Sequence, residues 1–333
     1  MTSAILGAGS WGTALAVQLG NHGHRVRLWG RDAALVREMQ LRRANPTYLQ
    51  DIVFPESVTP TGDLGQALEG AEFVVSAVPS HGTRHVMRAA AGFVPRGAIV
   101  VSAAKGLEVE TLRRMSEVIA EELGSGRAVV ALSGPSFALE VANRRPTALL
   151  AASADAAAAA RVQDSFRGKF FRLYASDDVT GVEIGGSMKN IIAIAAGVVE
   201  SLGLGHNALA ALITRGLAEI SRLACALGGR RETLAGLSGL GDLVLTCTGS
   251  LSRNRHVGIE LGKGRALADI LAGMRMVAEG VKTTGAALAL GRRHGLELPI
   301  AAQMAEVLEG RKTPYDAVED LMLRRQRAEP ERG

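Results

Sequence analysis

Residues 3–19 of the chain read SAILGAGSWGTALAVQL, and this stretch decides the fold. An apolar run typical of a buried strand is followed by three glycines within six residues and then by residues that favour a helix. Strand, G-x-G-x-x-G and helix, in this order, form the fingerprint of a dinucleotide-binding unit. Gly7 permits a sharp turn, Gly9 lets the backbone approach a pyrophosphate, and Gly12 lets the helix pack closely on the strand. The anion then lies at the helix N-terminus, where unpaired N–H groups and the macrodipole attract it.

Glycine accounts for 40 of the 333 residues, so this spacing also arises by chance. A glycine turn in another kind of α/β domain is therefore the alternative interpretation. The strand before the glycines and the helix after them favour the dinucleotide interpretation, because the fingerprint requires both.

Further buried strands follow along the first half of the chain. Their near-continuous apolar runs are typical of strands that are covered on both faces in a parallel sheet. Because ligands bind beyond the carboxyl ends of such strands, the turns that begin at Pro79, Ala104 and Ser133 are expected to face one crevice. Residues 33–71 are predicted to be mixed, with a helix over Ala33–Leu41 and an irregular stretch after it. The predicted strands are Arg25–Trp29, Ala71–Val78, Ala98–Ser102, Ala128–Leu132, Thr147–Ala152 and Phe170–Ala175, the last two flanking a helix over Asp155–Phe166.

Near residue 180 the strand signals vanish and helical patterns with glycine breaks dominate. The sequence therefore predicts an α/β Rossmann-like domain with a parallel sheet over residues 1–179. An all-α helical domain that carries substrate and catalytic groups is predicted over residues 180–333. The segment from Arg324 onward is rich in arginine and glutamate, carries no motif and has the composition of a disordered tail.

Composition limits the class of protein. Apolar residues make up 47% of the chain and charged residues 21%, which is typical of a soluble globular protein. The net charge of +5 suits an anionic ligand. The basic residues are scattered and are not interleaved with aromatic residues, so no nucleic-acid partner is expected.

Compartment and metal content follow from a few further features. The longest apolar run, Ile191–Val199, is about half of what a bilayer requires, so no membrane insertion is expected. The first strand begins almost at Met1, so we expect no signal peptide and a cytoplasmic location. Cys225 and Cys247 have neither disulfide nor zinc-site spacing, and no metal is expected.

Residues 184–199, IGGSMKNIIAIAAGVV, are apolar nearly all round and predict a buried central helix. Lys189 and Asn190 are its only strongly polar residues. Burying a lysine is costly unless it meets a partner or takes part in chemistry, and a desolvated amine can act as an acid or a base near neutral pH. The alternative interpretation is a lysine whose stem lies along the core while its ammonium reaches water.

Two later stretches offer companions for this lysine. Asp242 is an acid among glycines and leucines, with no cation near it in sequence. Ser252, Arg253 and Asn254 place a hydroxyl, a guanidinium and an amide in consecutive positions. The triplet resembles a small phosphate site, because arginine presents a rigid fork of donors to oxyanions. The alternative interpretation is a surface loop.

The residues after the second strand bear on the choice between NAD and NADP. An acid at this point binds the ribose 2′-hydroxyl, whereas a cation accommodates the 2′-phosphate of NADP. Arg31 is the first side chain past the strand and Asp32 follows it. We therefore expect NADP or NAD as cofactor, with NADPH favoured by Arg31, and a solvated surface pair is the alternative.

Several short motifs recur along the chain in a specific combination. They are residues 7–14 (GAGSWGTA), 104–108 (AKGLE), 133–138 (SGPSFA), the Lys189-Asn190 helix, 239–243 (GLGDL), 246–248 (TCT), 252–254 (SRN) and 278–280 (AEG). By these motifs the chain resembles the NAD(P)-dependent glycerol-3-phosphate dehydrogenases of the prokaryotic type, from the fingerprint to about Gly285.

The resemblance implies an oxidoreductase that interconverts dihydroxyacetone phosphate and sn-glycerol 3-phosphate by hydride transfer with NAD(P)H. Such a reaction feeds glycerophospholipid synthesis. The substrate is then a small phosphorylated three-carbon molecule. A Rossmann domain, an all-helical domain and a homodimer are implied as well.

The fingerprint and the resemblance together assign roles to residues of this chain. Lys189 matches the catalytic proton acceptor, with Asp242 holding its ammonium and Lys105 adding positive charge near the reacting carbon. The cofactor-binding residues are Gly7, Gly9, Ser10, Trp11, Gly12, Arg31, Lys105, Ala138, Arg253, Val277 and Glu279. The substrate-binding residues are Lys105, Gly134, Ser136, Lys189, Asn190, Asp242, Ser252, Arg253 and Asn254.

Two other functions remain open at this point. A dehydrogenase of the same plan that acts on a β-hydroxyacid or a sugar acid would need a carboxylate site at residues 252–254. A non-catalytic dinucleotide sensor would have no use for Lys189 in an apolar helix. A methyltransferase is disfavoured, because the three-glycine spacing fits a pyrophosphate.

Overall fold

The structure, a computed structural model, describes residues 1–124, 126–274 and 276–325. The predicted tail from Arg324 onward therefore lies, from residue 326, outside the described residues. The chain divides into two units. The first holds residues 1–105 and 113–183, and the second holds residues 106–112 and the chain from residue 184 onward.

The first unit is built on one eight-stranded sheet with helices between its strands, and a separate two-stranded hairpin. Its elements are β1 (Thr2–Leu6), α1 (Ser10–Gly20), β2 (Arg25–Trp29), α2 (Ala33–Arg42), β3 (Ala44–Asn45), β4 (Leu49–Val53), β5 (Val58–Thr61), α3 (Leu64–Leu68), β6 (Phe73–Ser76), α4 (Ser80–Ala90), β7 (Ile99–Ser102), α5 (Met115–Leu123), β8 (Val129–Ser133), α6 (Ala138–Ala142), β9 (Thr147–Ala152), α7 (Ala156–Phe166) and β10 (Phe171–Ser176). The hairpin consists of β3 and β4. Helix α8 (Val179–Ser201) begins in this unit and continues in the second.

The strands of the sheet lie in the order β10-β9-β8-β7-β6-β1-β2-β5. All neighbouring pairs are parallel except β8 and β9, which confirms the predicted α/β class. The antiparallel pair corrects the expectation of a wholly parallel sheet. Between β8 and β9 the chain has only the five-residue helix α6. The chain leaves β8 at Ser133 and enters β9 at Thr147. Because Ser133 pairs with Leu150 of β9, the chain turns back at one edge of the sheet and makes no crossover to the opposite edge, which a parallel pair requires.

Alternation of side chains along the central strands divides the core of this unit into two layers. In β1, Ile5 shares one layer with Val75 and Val101 of neighbouring strands. The adjacent Ala4 and Leu6 belong to the other layer. Because both faces of these strands are covered, nearly every position is apolar, which makes them visible in the sequence as near-continuous runs.

Two elements of this unit have no clear sequence pattern. The stretch predicted as irregular after α2 contains the hairpin β3–β4 and the strand β5. Strand β5 contains Pro60, and a proline argues against a strand unless that strand lies at a sheet edge. β5 is the edge strand beside β2, which explains why the proline is tolerated.

From residue 184 onward, every regular element that the structure describes in the second unit is a helix, as predicted. Its elements after α8 are α9 (Gly205–Ala226), α10 (Arg231–Ala235), a π-helix (Leu237–Gly241), α11 (Asp242–Thr248), α12 (Arg253–Gly262), α13 (Leu267–Ala272), α14 (Glu279–Arg293), α15 (Pro299–Leu308) and α16 (Pro314–Met322).

Helix α8 forms the core of the second unit. It extends beyond the predicted residues 184–199 at both ends, and residues 181–199 are all buried. Ile192 and Ile194 share one apolar cluster with Ile220 of α9 and Val257 of α12. Among the described residues, α8 is the one helix long and apolar enough to cross a membrane, but its most apolar stretch is entirely buried inside the protein. Its hydrophobicity is therefore that of a core helix.

Residues 106–112 are the exception to a simple division of the chain at one point. The sequence places the boundary near Val179, whereas the first unit ends at Glu183 and this short segment belongs to the second unit. Leu107 and Leu112 belong to the apolar cluster of the second unit. Two buried leucines in a segment of seven residues carry no sequence signal that would assign them to a core formed by later helices.

Candidate functional site

The three glycines of the fingerprint each have a different surrounding. Gly7 has a φ of +111°, and a Cβ there would lie 2.9 Å from the carbonyl group of Ala77. A Cβ at Gly12 would lie 1.9 Å from the carbonyl oxygen of Gly7. Nothing lies within 4 Å of the position that a Cβ of Gly9 would take. Gly7 and Gly12 are therefore required by the turn itself, while Gly9 keeps the space beside the backbone open.

This loop fits a dinucleotide pyrophosphate. Gly9 is the N-cap of α1, and no side chain caps the N-terminus of that helix. The N–H of Gly9 has no hydrogen-bond partner among the described residues, and the buried indole Nε1 of Trp11 has none either. Unpaired donors at a helix N-terminus attract an anion. The residues present therefore suit the phosphates of NAD or NADP, with Ser10 in the first turn of the same helix.

Lys105 lies beyond the carboxyl end of β7, next to the turn that follows β8. Its Nζ donates hydrogen bonds to the carbonyl oxygen of Gly134, at 2.7 Å, and to Oγ of Ser136, at 3.4 Å. The Ser136 hydroxyl donates to the same carbonyl oxygen at 2.9 Å. Three of the predicted substrate contacts are thus in one hydrogen-bonded group. Ala138, a predicted cofactor contact, follows as the first residue of α6.

Lys189 meets polar partners in the interior of the second unit. Its Nζ donates a hydrogen bond to Oδ1 of Asp242 and another, of 2.7 Å, to Oγ1 of Thr246. The Lys189 residue is 6% exposed and Asp242 is fully buried. The Thr246 hydroxyl donates to the main-chain oxygen of Asp242 at 2.6 Å, so its lone pair faces the ammonium. The alternative of a lysine whose ammonium reaches water is therefore wrong.

Thr246 is a candidate that the sequence reasoning missed, although it lies within a quoted motif. It follows Asp242 by four residues, and residues four apart lie on the same face of a helix. That spacing is the signal that could have identified it. The neighbouring Cys247 is also buried, and burial raises the pKa of its thiol to about 12, so it stays protonated beside Lys189.

Helices α8 and α12 are in direct backbone contact. A Cβ at Gly258 would lie 1.9 Å from the carbonyl oxygen of Ile194, and a Cβ at Gly197 would lie 2.0 Å from that of Arg255. Only glycine permits this approach at either position. The contact places the first turn of α12 beside the polar part of α8.

Asn190 and Asn254 join three helices at this point. Nδ2 of Asn254 donates to Oδ1 of Asn190 at 2.9 Å, and Oδ1 of Asn254 accepts a bond of 3.0 Å from the N–H of Gly280. A Cβ at Gly280 would lie 2.7 Å from the carbonyl oxygen of Asn190. These amides therefore hold the N-terminus of α14 against α8 and α12.

Residues 252–254 begin a helix and do not form the surface loop of the alternative interpretation. Ser252 is the N-cap of α12, and its Oγ accepts a bond of 3.2 Å from the N–H of Arg255. The N–H groups of Arg253 and Asn254 have no hydrogen-bond partner in the described part of the chain. A serine directly before a helical pattern is an N-cap signal, and it could have indicated this helix start.

Arg253 projects from this helix start and is exposed. Its guanidinium makes no hydrogen bond or ion pair with any residue that the structure describes. Crowding by protein atoms lowers the pKa of Arg253 from its ordinary value, while the charge of Glu279 raises it. The predicted cofactor contact Val277 precedes Glu279 by two residues and lines an apolar cavity of about 220 Å³ with Met274, Val281 and Lys282.

No group of three histidine, cysteine, aspartate or glutamate side chains that could hold a metal occurs among residues 1–124, 126–274 and 276–325.

The predicted site residues fall into one set in each unit. The first set is Gly7, Gly9, Ser10, Trp11, Gly12, Arg31, Lys105, Gly134, Ser136 and Ala138, and the second is Lys189, Asn190, Asp242, Ser252, Arg253, Asn254, Val277 and Glu279.

Comparison with known protein families decides the affiliation. Residues 2–159 match the family described as NAD-dependent glycerol-3-phosphate dehydrogenase N-terminus. Residues 178–319 match the corresponding C-terminus family. The chain belongs to the NAD-dependent glycerol-3-phosphate dehydrogenase family.

Individual members of the glycerol-3-phosphate dehydrogenase family are similar over most of their length. A protein of Koribacter versatilis named glycerol-3-phosphate dehydrogenase (NAD(P)+) is 54% identical over 272 residues, which is 80% of each chain. One of the same name from Syntrophotalea carbinolica is 52% identical over 331 residues, 99% of each chain. The crystal structure of glycerol-3-phosphate dehydrogenase from Coxiella burnetii matches with a TM-score of 0.94 at 42% identity, covering 97% of this chain and 99% of that one.

The glycines of the fingerprint allow a matched pair of substitutions. We expect Gly12→Ala to lower the free energy of unfolding by about 1–3 kcal/mol, because the new methyl group would overlap the carbonyl of Gly7. We expect Gly9→Ala to leave that free energy unchanged or up to about 1 kcal/mol higher. Its methyl group would instead occupy the open side of the loop and raise the Kd for NADPH about tenfold or more. Urea denaturation and calorimetric titration measure the two effects, and an unchanged Kd for Gly9→Ala would contradict the proposed approach of the pyrophosphate.

Proposed function

We propose that the chain catalyses the reversible reduction of dihydroxyacetone phosphate by NAD(P)H to sn-glycerol 3-phosphate. Membership of the glycerol-3-phosphate dehydrogenase family supports this activity. The single observation that carries the mechanism is the buried hydrogen-bonded group of Lys189, Asp242 and Thr246. An enzyme that transfers a proton needs a charged lysine held by polar partners in an apolar helix. A non-catalytic dinucleotide sensor does not need one.

The cofactor would be held by the fingerprint loop, through the N–H of Gly9 and the N-terminus of α1. When bound, the nicotinamide supplies the hydride for reduction and takes it back in the reverse direction. The protein must then orient the substrate carbonyl, polarise it and handle one proton.

Lys189 is the proposed proton donor and acceptor. As an ammonium it gives a proton to the ketone oxygen while the carbonyl carbon is reduced, and as a neutral amine it takes the hydroxyl proton back during oxidation. Asp242 lies against Lys189 and favours its charged form, and the lone pair of Thr246 fixes the direction of one N–H. Lys105 adds a second positive charge, which favours negative charge on the reacting oxygen.

The start of α12 is the proposed phosphate site. The N–H groups of Arg253 and Asn254 point from a helix N-terminus, where phosphates bind readily. The exposed guanidinium of Arg253 offers a planar fork of donors, and the hydroxyl of Ser252 can donate while its oxygen still caps the helix. The side-chain amide of Asn254 accepts one bond at Oδ1 and uses one hydrogen of Nδ2, so its second Nδ2 hydrogen can donate to the phosphate together with its backbone N–H. Binding the phosphate here would position a three-carbon substrate for reaction.

Replacement of Lys189 tests the proposed chemistry. We expect Lys189→Ala to lower kcat roughly a hundredfold or more, the usual effect of losing a general acid–base group. The variant also leaves Asp242 buried without its cation, which costs about 3–5 kcal/mol of stability. The Kd of the variant for NADPH is therefore measured as a control, and an unchanged value shows that the variant is folded. Lys263→Ala, at an exposed lysine of the same unit, is the matched control. A near-normal kcat for Lys189→Ala would rule out this role.

NADPH is the proposed preferred cofactor. Oδ1 of Asp32 accepts hydrogen bonds from the N–H groups of Ala34, at 2.9 Å, and Leu35, at 3.2 Å, and so caps α2. A carboxylate engaged in this way is less available to a ribose 2′-hydroxyl. Arg31 is exposed and has no hydrogen bond to the residues described, which suits a 2′-phosphate.

A comparison of the two cofactors tests this preference and the activity together. With dihydroxyacetone phosphate as substrate, we expect a higher kcat/KM for NADPH than for NADH. Arg31→Ala should lower the NADPH value roughly tenfold to a hundredfold, the effect of one bond to a charged group. The NADH value of the same variant is the internal control and should not change. Equal losses with both cofactors would contradict a contact between Arg31 and the 2′-phosphate.

A cytoplasmic homodimer is the proposed assembly. The first half of α9 supports the dimer, because apolar side chains such as Leu209 and Leu212 are only partly buried there. Leu204, directly before this helix, is exposed. Sedimentation equilibrium measures the assembly directly, and the mass of a single chain would exclude it.

A further inference from the structure

We infer that Asn45 is a positioning residue for the cofactor loop, through which the β3–β4 hairpin sets the direction of the Gly9 N–H. This inference rests on the proposed binding of NAD(P)H at that loop. Asn45 is fully buried and lies in the hairpin that the sequence pattern did not reveal. It has no role among the residues assigned above.

One peptide unit of the loop is not held by regular secondary structure. The N–H of Gly7 donates to the carbonyl oxygen of Trp29 at 3.0 Å, which fixes the beginning of the loop at the end of β2. The carbonyl oxygen of Gly9 accepts a bond of 2.9 Å from the N–H of Thr13, which fixes the end of the loop in α1. The peptide between Ala8 and Gly9 lies between these two bonds, and neither strand nor helix fixes it.

Asn45 holds that peptide. Its Nδ2 donates hydrogen bonds to the carbonyl oxygen of Ala8, at 2.9 Å, and to Oγ1 of Thr13, at 2.8 Å. Its Oδ1 accepts bonds from the N–H groups of Thr47, at 3.3 Å, and Tyr48, at 3.2 Å. The opposite orientation of the amide is excluded, because it would set an NH₂ group against two N–H donors and an oxygen against the Ala8 carbonyl.

The hydrogen bond from Asn45 to the Ala8 carbonyl also determines the direction of the Gly9 N–H, because both groups belong to one peptide. In a planar trans peptide the C=O and N–H groups point in opposite directions. The carbonyl of Ala8 points to the buried Asn45, so the N–H of Gly9 points the other way, on the side where it meets no hydrogen-bond acceptor among the described residues. Asn45 thus keeps the Gly9 N–H in the orientation that the pyrophosphate needs before the cofactor binds. The loop is already ordered, so binding does not include the entropy cost of ordering it.

The residue type fits the task. Asparagine combines a donor and an acceptor on one short side chain, so it can hold the loop with Nδ2 and the hairpin turn with Oδ1. Aspartate lacks the donor, and alanine lacks both groups. The hairpin and the loop are therefore coupled through a single buried amide.

Replacement of Asn45 by leucine tests the inference, because leucine keeps the branching and the number of side-chain heavy atoms and removes both hydrogen-bonding groups. We expect the Kd for NADPH and for ADP-ribose, measured by calorimetry, to rise about tenfold, the effect of one lost hydrogen bond. At saturating NADPH, kcat and the KM for dihydroxyacetone phosphate should stay within about twofold of the wild type. Thr13→Val, which removes only one partner of Nδ2, should show a smaller rise in Kd.

Gln40→Ala is the matched control, because it removes a side-chain bond of 2.9 Å to the carbonyl oxygen of Pro60 in the same unit, away from the loop. Its Kd for NADPH should not change. If Asn45→Leu does not fold, Asn45→Ala and Thr13→Val supply the same comparison. A lower unfolding temperature with unchanged Kd values would mean a purely structural role and would overturn the inference. Failure of the wild type to bind NADPH or ADP-ribose would overturn the proposed function, and the role of Asn45 with it.

Discussion

The second unit depends on one ammonium group buried in an apolar helix. Taking Lys189 and Asp242 out of water costs several kcal/mol per ion, and their attraction offsets this only while the geometry is kept. One partner comes from α8 and the other from α11, with the Thr246 hydroxyl completing the group. The two helices therefore cannot slide past each other without separating buried charges. A buried, paired ionisable group of this kind is typical of a functional site.

Close contact between backbones places the remaining groups around this lysine. Gly197 and Gly258 let α8 and α12 touch, and Gly280 lets the start of α14 lie against Asn190. The first unit uses the same means, since Gly12 lets α1 pack against the turn at Gly7. Each unit also has a helix N-terminus, that of α1 or that of α12, at which a backbone N–H group has no partner among the described residues. Anions bind at such positions, which suits a reaction between a dinucleotide and a phosphorylated substrate.

Sequence reasoning identified the features that stand out from their surroundings and missed those that depend on helix register, on helix starts or on distant parts of the chain. The glycine spacing at residues 7–12 and the lone polar pair Lys189-Asn190 could be seen without any structure, because each departs sharply from its surroundings. Thr246 can be identified only when the helical register that places it on the same face as Asp242 is known. The start of α12 can be identified only when Ser252 is recognised as an N-cap. The hairpin that carries Asn45 is too short for a periodic pattern, and the segment 106–112 joins a core formed by residues far along the chain. The reversal between β8 and β9 leaves no mark in the composition of either strand, because both are apolar runs of the same kind.

Chemical rescue of the Lys189→Ala variant by small primary amines tests the central claim most directly, namely that the Lys189 amine moves the proton. With NADPH and dihydroxyacetone phosphate saturating, kcat of the variant should rise in proportion to added methylamine or ethylamine. Acetamide, of similar size but not basic, should have no effect. If both amines leave the rate unchanged while the folded variant still binds NADPH and substrate, the proton does not pass through this position and the account of the site is wrong.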